Sequence, residues 1–190
     1  MSKKVVLKGG IKAILYLSNI DNDYYIWAKD ENNNKVGFCQ FNIAYEYERV
    51  LGEDFKKNYS KYHNIPIEQV PNKMLYKANN PENFTIHKNK IVFKNGEAFD
   101  IKTTICELQK IEILDERYFK TGLGYAMLKA LESIASKNNC SQIEAYFSPY
   151  GNFSHGTLEF YKHNGFEFYK HPRFKVDYIR KYLTSVEKKL

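Results

Sequence analysis

The sequence predicts an α/β fold: a central, twisted mixed sheet flanked by helices. Three observations carry the prediction. From residue 105 onward the pattern runs strand, helix, strand, helix, strand, strand. Ahead of residue 45, apolar and polar side chains alternate in short runs broken by polar turns. Between the strand at 105 to 114 and the helix after it stand Gly122 and Gly124, a pair suited to a tight strand-to-helix turn.

Each element follows in order. In KAILYLS, Ile14, Tyr16 and Ser18 alternate with apolar neighbours, which reads as a strand. Residues 24 to 28 and 36 to 43 flank the polar stretch 30 to 34 and form a hairpin. From Gly52 the chain is polar, with Phe55, Tyr59 and Tyr62 at helical spacing. After Pro66, IEQVPNKMLYKA holds a second short helix, broken or started by Pro71. Residues 91 to 93, the turn Asn95-Gly96, and the run AFDIKTTI make another hairpin, since both turn residues tolerate positive φ. ICELQKIEIL is a strand, and LGYAMLKALESIASK is a helix with Met127, Leu128, Leu131, Ile134 and Ala135 on one face. SQIEAYFS is the next strand, joined to the previous one by a right-handed crossover and therefore its parallel neighbour. GTLEFYKHN is a short helix stopped by Gly165, and FEFYK and FKVDYIRKYL supply the last strands.

Composition narrows the function. A chain of 190 residues suits one domain with a sizeable core, and 16 Tyr and 13 Phe carry much of its burial. No run of about 18 apolar residues predicts a membrane span. MSKKVVLKGG has neither an apolar core nor a cleavage site, so the reading is unprocessed and cytoplasmic. Cys39, Cys106 and Cys140 form no C-x-x-C pair, which argues against a zinc site or a disulfide framework and for small buried residues. The net charge of +7 favours anionic partners, a phosphate-bearing cofactor or a nucleic acid. The lysines are spread along the chain and no nucleic-acid motif occurs, so nucleic acid is not indicated beyond that charge.

The junction at 114 to 125 carries chemistry. Its glycines let a ligand approach the backbone, and the free N–H groups of the helix's first turn point into the same space. The positive end of the helix dipole lies behind them, so the turn is a candidate diphosphate site. A packing turn explains a lone G-x-G equally well.

Two segments resemble the GNAT superfamily of N-acetyltransferases. Phe119, Lys120, Thr121, Gly122, Leu123 and Gly124 align with its Q/R-x-x-G-x-G/A acetyl-CoA loop. Both glycines match, and Phe119 departs from the polar first position, leaving Lys120 or Arg117 to supply the charge. Residues 157 to 166, with Phe160-Tyr161 and Gly165-Phe166, resemble the a-x-x-F/L-Y-x-x-x-G-F signature, about 40 residues further on with a strand between. The resemblance covers residues 105 to 170 well and the rest poorly.

The resemblance implies acetyl-CoA as co-substrate, no metal, and acetyl transfer to a primary amine on a small molecule or peptide by direct attack. It implies that the strands at 105 to 114 and 141 to 148 splay, and that the pantetheine arm enters the gap. Backbone groups near Ile113 and Leu114 pair with that arm, and Tyr125 completes the cofactor turn. Tyr161 falls where the family protonates the departing thiolate. Glu112 or Glu107, or a water chain, takes the amine's proton; opposite strand parity keeps the two carboxylates from sharing a face. Asn152 and Ser154 fall where an asparagine touches the cofactor or positions the amine, and Ser154 is equally a helix N-cap. Family members often pair through their C-terminal strands, which implies a homodimer. The alternative is a CoA-binding module without catalysis that acts through a partner.

Residues 1 to 190 thus read as one N-acetyltransferase-like domain, with residues 45 to 104 an atypical insertion that shapes the acceptor pocket. In the other assignment, residues 52 to 78 are the family's two early helices and residues 84 to 104 its hairpin, with extra strands ahead.

Overall fold

A computed structural model describes residues 2–20, 23–48, 52–64, 66–70, 73–77, 84–146, 155–170 and 177–183. The chain divides into two compact units, residues 1–43 with 105–190, and residues 44–104.

The first unit contains β1 (Ser2–Val6), β2 (Lys12–Ile20), β3 (Asp23–Lys29) and the start of β4 (Lys35–Glu48). After residues 44–104 come the end of β8 (Ala98–Ile113), α2 (Leu123–Lys137), β9 (Gln142–Tyr146), α3 (His155–His163), β10 (Glu167–Lys170) and β11 (Asp177–Tyr182). The strand order is β1-β2-β3-β4-β8-β9-β11-β10. The β8–β9 pair is parallel; β1–β2, β2–β3, β3–β4, β9–β11 and β10–β11 are antiparallel. The sheet is therefore mixed, as the pattern after residue 105 requires. Alternation did not single out Ser2–Val6, which joins the edge through β2.

The β3–β4 loop is pinned by Asp30, whose carboxylate accepts the Asn32 and Asn34 N–H groups at 2.9 and 2.8 Å and the Asn34 amide at 3.0 Å. α2 lays Met127, Leu128, Leu131 and Ala135 onto the sheet, all at 0% exposure. Burying each of the larger three contributes about 1.5–3 kcal/mol. On the sheet, Ile26, Cys39, Cys106 and Ile143 are also buried.

The second unit holds the end of β4, α1 (Glu53–His63), β5 (Lys73–Lys77), β6 (Phe84–His87), β7 (Lys90–Phe93) and the start of β8. Its core is Tyr47, Phe84, Ile91 and Ile101, with Tyr45, Phe93 and Phe99 packed around them. Here the structure corrects two expectations. The stretch after Pro66 gives one 3-10 turn, Ile67–Gln69, and then β5 in place of a helix. β5 pairs residue by residue with Ala44–Glu48, and that ladder takes up the backbone groups a helix would have used. Residues 52–78 therefore do not hold two α-helices. The expected hairpin around Asn95-Gly96 forms: β7 pairs antiparallel with β8 through Lys90–Asp100, Ile91–Phe99 and Val92–Ala98, and its second strand, AFDIKTTI, runs on without a break into ICELQKIEIL as the 16-residue β8. In the turn before it only Gly96 has positive φ (87°), while Asn95 binds the Glu97 N–H through its side chain at 3.1 Å.

Candidate functional site at the divergence of β8 and β9

Among the described residues the β8–β9 ladder has only three rungs, Ile105–Gln142, Cys106–Ile143 and Glu107–Glu144. β8 continues to Ile113 and β9 to Tyr146 without further pairing. The strands separate just past Glu107 and Glu144 and leave a gap toward the end of β8. On its other side β8 neighbours β4, where the Leu114 N–H donates to the Val36 carbonyl at 2.9 Å. Successive residues of a strand turn their N–H and C=O groups to opposite edges. With Leu114 committed to β4, Ile113 directs its backbone groups to the gap. Of the two residues expected to pair with a ligand there, Leu114 has already used its amide. Gly37 of β4 keeps this spacing close: a Cβ there would lie 2.9 Å from the Glu112 carbonyl oxygen.

The turn at the end of β8 is built by its sequence. Asp115 caps the 3-10 turn Glu116–Tyr118 by accepting the Arg117 N–H at 3.0 Å. Gly122 takes the left-handed conformation (φ 93°) and accepts the first helical bond, from Ala126 N–H at 3.0 Å. The amides of Leu123, Gly124 and Tyr125 therefore have no partner within the helix. Leu123 is fully buried and anchors the turn, Thr121 is buried with its hydroxyl donating to the Tyr118 carbonyl at 2.7 Å, and Phe119 and Tyr125 are half exposed. Lys120 is exposed with φ 58°. Arg117 does not supply a free charge: its guanidinium grips Asp115 with two nitrogens at 2.5–3.1 Å, which holds that carboxyl below its usual range. The two glycines differ. Gly122 needs its positive φ, whereas a Cβ on Gly124 would meet the Phe160 ring at an ordinary 3.6 Å.

Tyr161, in α3, is 7% exposed, with its ring edge-on to Phe160 and Phe166 at 5.2 and 5.3 Å. Burial pushes its phenol well above the ordinary value. The position follows from helix termination. Phe166 N–H donates to the Tyr161 carbonyl at 3.1 Å, and Gly165 N–H, at φ 79°, donates to that of Lys162 at 3.0 Å. That is a Schellman motif with its apolar contact, so the spacing of Tyr161, Gly165 and Phe166 also serves to cap the helix.

The carboxylates are arranged differently from the strand-parity expectation. Asp23, Gln40 and Asn42 are joined by side-chain bonds at 2.7 and 2.8 Å, and Tyr25, Trp27 and Phe38 pack ring to ring on the same face. Gln109 bonds Asp23 at 3.4 Å, and Lys110 lies 5.7 Å over the Phe38 ring. Two consecutive residues thus address one face, the mark of a β-bulge, which inverts the alternation beyond it. Glu107, two before Gln109, and Glu112, paired to Lys110 at 2.6 Å, consequently share that face. A bulge leaves no signature in the alternation of ELQKIE.

Four residues that the sequence did not single out, Glu144, Gln142, Tyr146 and Arg180, meet where the strands part. Glu144 is 4% exposed and accepts bonds from Arg180 at 2.7 Å, Gln142 at 2.8 Å and Tyr146 at 3.4 Å. Burial, then the Glu144 and Glu107 carboxylates, push the Tyr146 phenol up. Glu144 is saturated and serves structure. Asn152 and Ser154 lie outside the described residues. Among those described, no group of His, Cys, Asp and Glu is placed to hold a metal, and no helix is long and apolar enough to cross a membrane. All three cysteines are free and buried, and burial pushes the Cys140 thiol up to about 12.

No protein-family model matches the sequence, and no curated protein matches it. Solved structures do. The GNAT domain of S. lividans PAT superposes with a TM-score of 0.52 at 10% identity, covering 96% of this chain and 97% of that one. The PaiA N-acetyltransferase of Thermoplasma acidophilum, in complex with coenzyme A, gives 0.43 at 13% identity over 84% of this chain and 60% of its own. A GNAT-family acetyltransferase from Staphylococcus aureus gives 0.44 at 13% identity, over 85% and 68%. The mixed sheet, its parted parallel strands and the end-to-end match to the S. lividans domain show that this chain has the fold of the GNAT N-acetyltransferase superfamily.

Proposed function

We propose that the protein is an acetyl-CoA-dependent N-acetyltransferase that moves the acetyl group to a primary amine. The observation that carries the reading is the gap between β8 and β9, which opens beside the unpaired amides of the Gly122–Tyr125 turn. The diphosphate of acetyl-CoA would be held by those amides and by Lys120, and the pantetheine amides would pair with Ile113. The thioester would then reach the floor of the gap, where Glu107, Gln109 and Tyr146 are gathered. The cofactor supplies the activated acetyl group; the chain supplies position and proton movement.

An amine attacks only when neutral, so a base must take its proton. Glu107 is the candidate base because it stands on the last rung before the strands part, opposite Glu144, while Glu112 lies further along β8, paired to Lys110 at 2.6 Å. Tyr161 keeps its proton throughout the neutral range because burial raises its pKa. A free thiol titrates near 8.5, below such a phenol, so complete proton transfer from Tyr161 to the thiolate is uphill. Its role is to donate a hydrogen bond as negative charge develops on sulfur. The acceptor is a small-molecule or peptide amine, and the setting proposed is the cytoplasm, where free thiols persist. A homodimer through β10 and β11 is part of the same reading.

Calorimetric titration with acetyl-CoA tests the binding half. Saturable binding, weakened in a variant that disturbs Gly122, is the expected outcome; no heat and no thermal shift at millimolar cofactor overturns it. Turnover with a panel of amines tests the chemistry. Glu107→Gln is expected to lower kcat by about 10²–10⁴-fold with cofactor affinity kept, as for loss of a general base. Tyr161→Phe is expected to lower kcat less, by about 10-fold, as for one lost hydrogen bond. If both variants turn over like the parent across pH while acetyl-CoA still binds, the residue roles fail. If no amine is acetylated, the chain is the non-catalytic CoA-binding module.

A further inference from the structure

Strand register gathers lysines from separate strands onto one face of the first unit's sheet. Leu15, Leu17 and Ile26 face Ala130 and Ile134 of α2 across a small cavity. Alternation therefore turns Ile14, Tyr16, Tyr25, Trp27 and Lys29 to the opposite face. Residues directly opposite in a ladder share a face. The pairs Lys4–Ile14, Ile14–Lys29 and Lys29–Lys35 thus make one row across β1 to β4. The pairs Tyr16–Trp27 and Trp27–Phe38 make the next row. Adjacent strands lie about 4.8 Å apart, so the rows span roughly 10–14 Å.

One row is cationic and the other aromatic. The Tyr25 and Trp27 rings lie 5.6 Å apart with planes 14° from parallel, and Phe38 is 5.3 Å from Trp27. Tyr16, Tyr25, Trp27 and Phe38 are each partly exposed. The lysines rest on these rings. Lys29 Nζ lies 4.9 Å from the centre of Tyr16, and Lys35 Nζ, beyond the irregularity at Ala28–Lys29, lies 3.7 Å from that of Trp27. Lys29 also donates to the side-chain oxygen of Asn33 at 2.7 Å, a neutral partner. Among the described residues no carboxylate pairs with Lys4, Lys29 or Lys35. Lys110, over Phe38, is neutralised by Glu112, and Asp23 stands at the other end of β3, bound to Gln40 and Asn42. The positive field is therefore concentrated on the lysine row, and it attracts anions.

Like charge sets aside a second copy of this face as the occupant. An acidic peptide or an anionic lipid surface would engage the ammonium groups and leave a row of flat rings without a use. A single-stranded nucleic acid uses both rows, phosphates on the cations and bases on the π-faces. Phosphates would also draw the lysines off the rings that they cover. We infer that this face binds single-stranded nucleic acid, its backbone along Lys4, Lys29 and Lys35 and its bases on Tyr16, Trp27 and Phe38. The inference goes beyond the acetyl-CoA reading and does not rest on it: the gap between β8 and β9 takes no part.

Trp27 is the chain's single tryptophan, so its fluorescence reports on this face directly. The full chain is titrated with an oligodeoxythymidylate of about 12 nucleotides. The unlabelled strand is read by Trp27 emission, and a fluorescein-labelled one by anisotropy. Saturable quenching with a matching rise in anisotropy is expected. Lys29→Gln/Lys35→Gln is expected to weaken binding 10-fold or more. It should also flatten the slope of log affinity against log salt by about 1.4, at ~0.7 per phosphate contact on a single strand. The charge control Lys137→Gln/Lys162→Gln, on α2 and α3, is expected to bind within threefold of the parent. Trp27→Leu and Phe38→Leu keep an apolar side chain and lose stacking. Each is expected to weaken binding about 10-fold with the salt slope kept. Circular dichroism checks that the variants stay folded, and the exchange of the two lysines leaves the rings in place. No binding by the parent, or a Lys29/Lys35 variant that binds like the parent, overturns the inference. Equal binding of a duplex, which offers phosphates without free base faces, also overturns it. So does equal quenching of Trp27 by poly-glutamate or by phosphatidylserine vesicles.

Discussion

Gly122 and Gly124 stand two residues apart and answer different demands. Gly122 is left-handed at the start of α2, and a side chain there costs about 1–2 kcal/mol. Gly124 is helical and has ordinary room toward Phe160. Gly122→Ala is therefore expected to lower stability by about 1–2 kcal/mol in urea denaturation and to weaken acetyl-CoA. Gly124→Ala is expected to leave stability unchanged or raised by up to about 1 kcal/mol, since alanine is the better helix former. Equal losses in both variants would show that the glycine pair is a steric unit. Both residues were legible in the sequence. Their difference was not, because it depends on φ and on the neighbour across the helix. Tyr161 teaches the converse: its motif was read as chemistry, and its spacing to Gly165-Phe166 is also what a helix cap needs. Glu107 and Glu112 were legible as candidates, but their shared face depends on a bulge that strand alternation hides.

α2 was the element read most completely, because its apolar stripe and its opening glycine agree. How it is tied to the sheet was not visible. Glu132 accepts Lys181 of β11 at 2.8 Å and Lys129 at 2.7 Å, contacts 49 and 3 residues away in sequence. Burial pushes its carboxyl up, and the bonds from Lys129 and Lys181 outweigh that, so its pKa is lowered in the folded chain. A lowered folded pKa contributes stability that is present above the unfolded value, about 4.3, and is lost as pH falls through the folded one. Glu132→Gln is thus expected to lower stability near neutrality and to flatten the fall in Tm below about pH 4. A variant whose Tm falls with acid as steeply as the parent's would rule out this linkage. β5 shows the opposite balance: a segment that periodicity and Pro71 made a helix became a strand, because five partners on β4 were available to it.

At the scale of the whole molecule, residues 44–104 form a compact unit with its own core around Ile91. Ile91→Ala is expected to cost about 2–5 kcal/mol there, as for a deleted buried side chain. Hydrogen exchange should then show protection lost first in residues 44–104, with α2 and β9 still protected. Simultaneous loss in both units would mean that they unfold as one. The sequence by itself determined the α/β class, the crossover between β8 and β9, the extent of α2 and the place of the glycine turn. These follow from local periodicity and from turn residues whose φ is fixed by their own chemistry. Only the tertiary structure decided where the two parallel strands part, that Glu107 and Glu112 share a face, and that the Lys8 N–H, in the connection between β1 and β2, donates to the Thr121 carbonyl. Each of these joins residues far apart in the chain, so it depends on register and packing, which no local window of sequence contains.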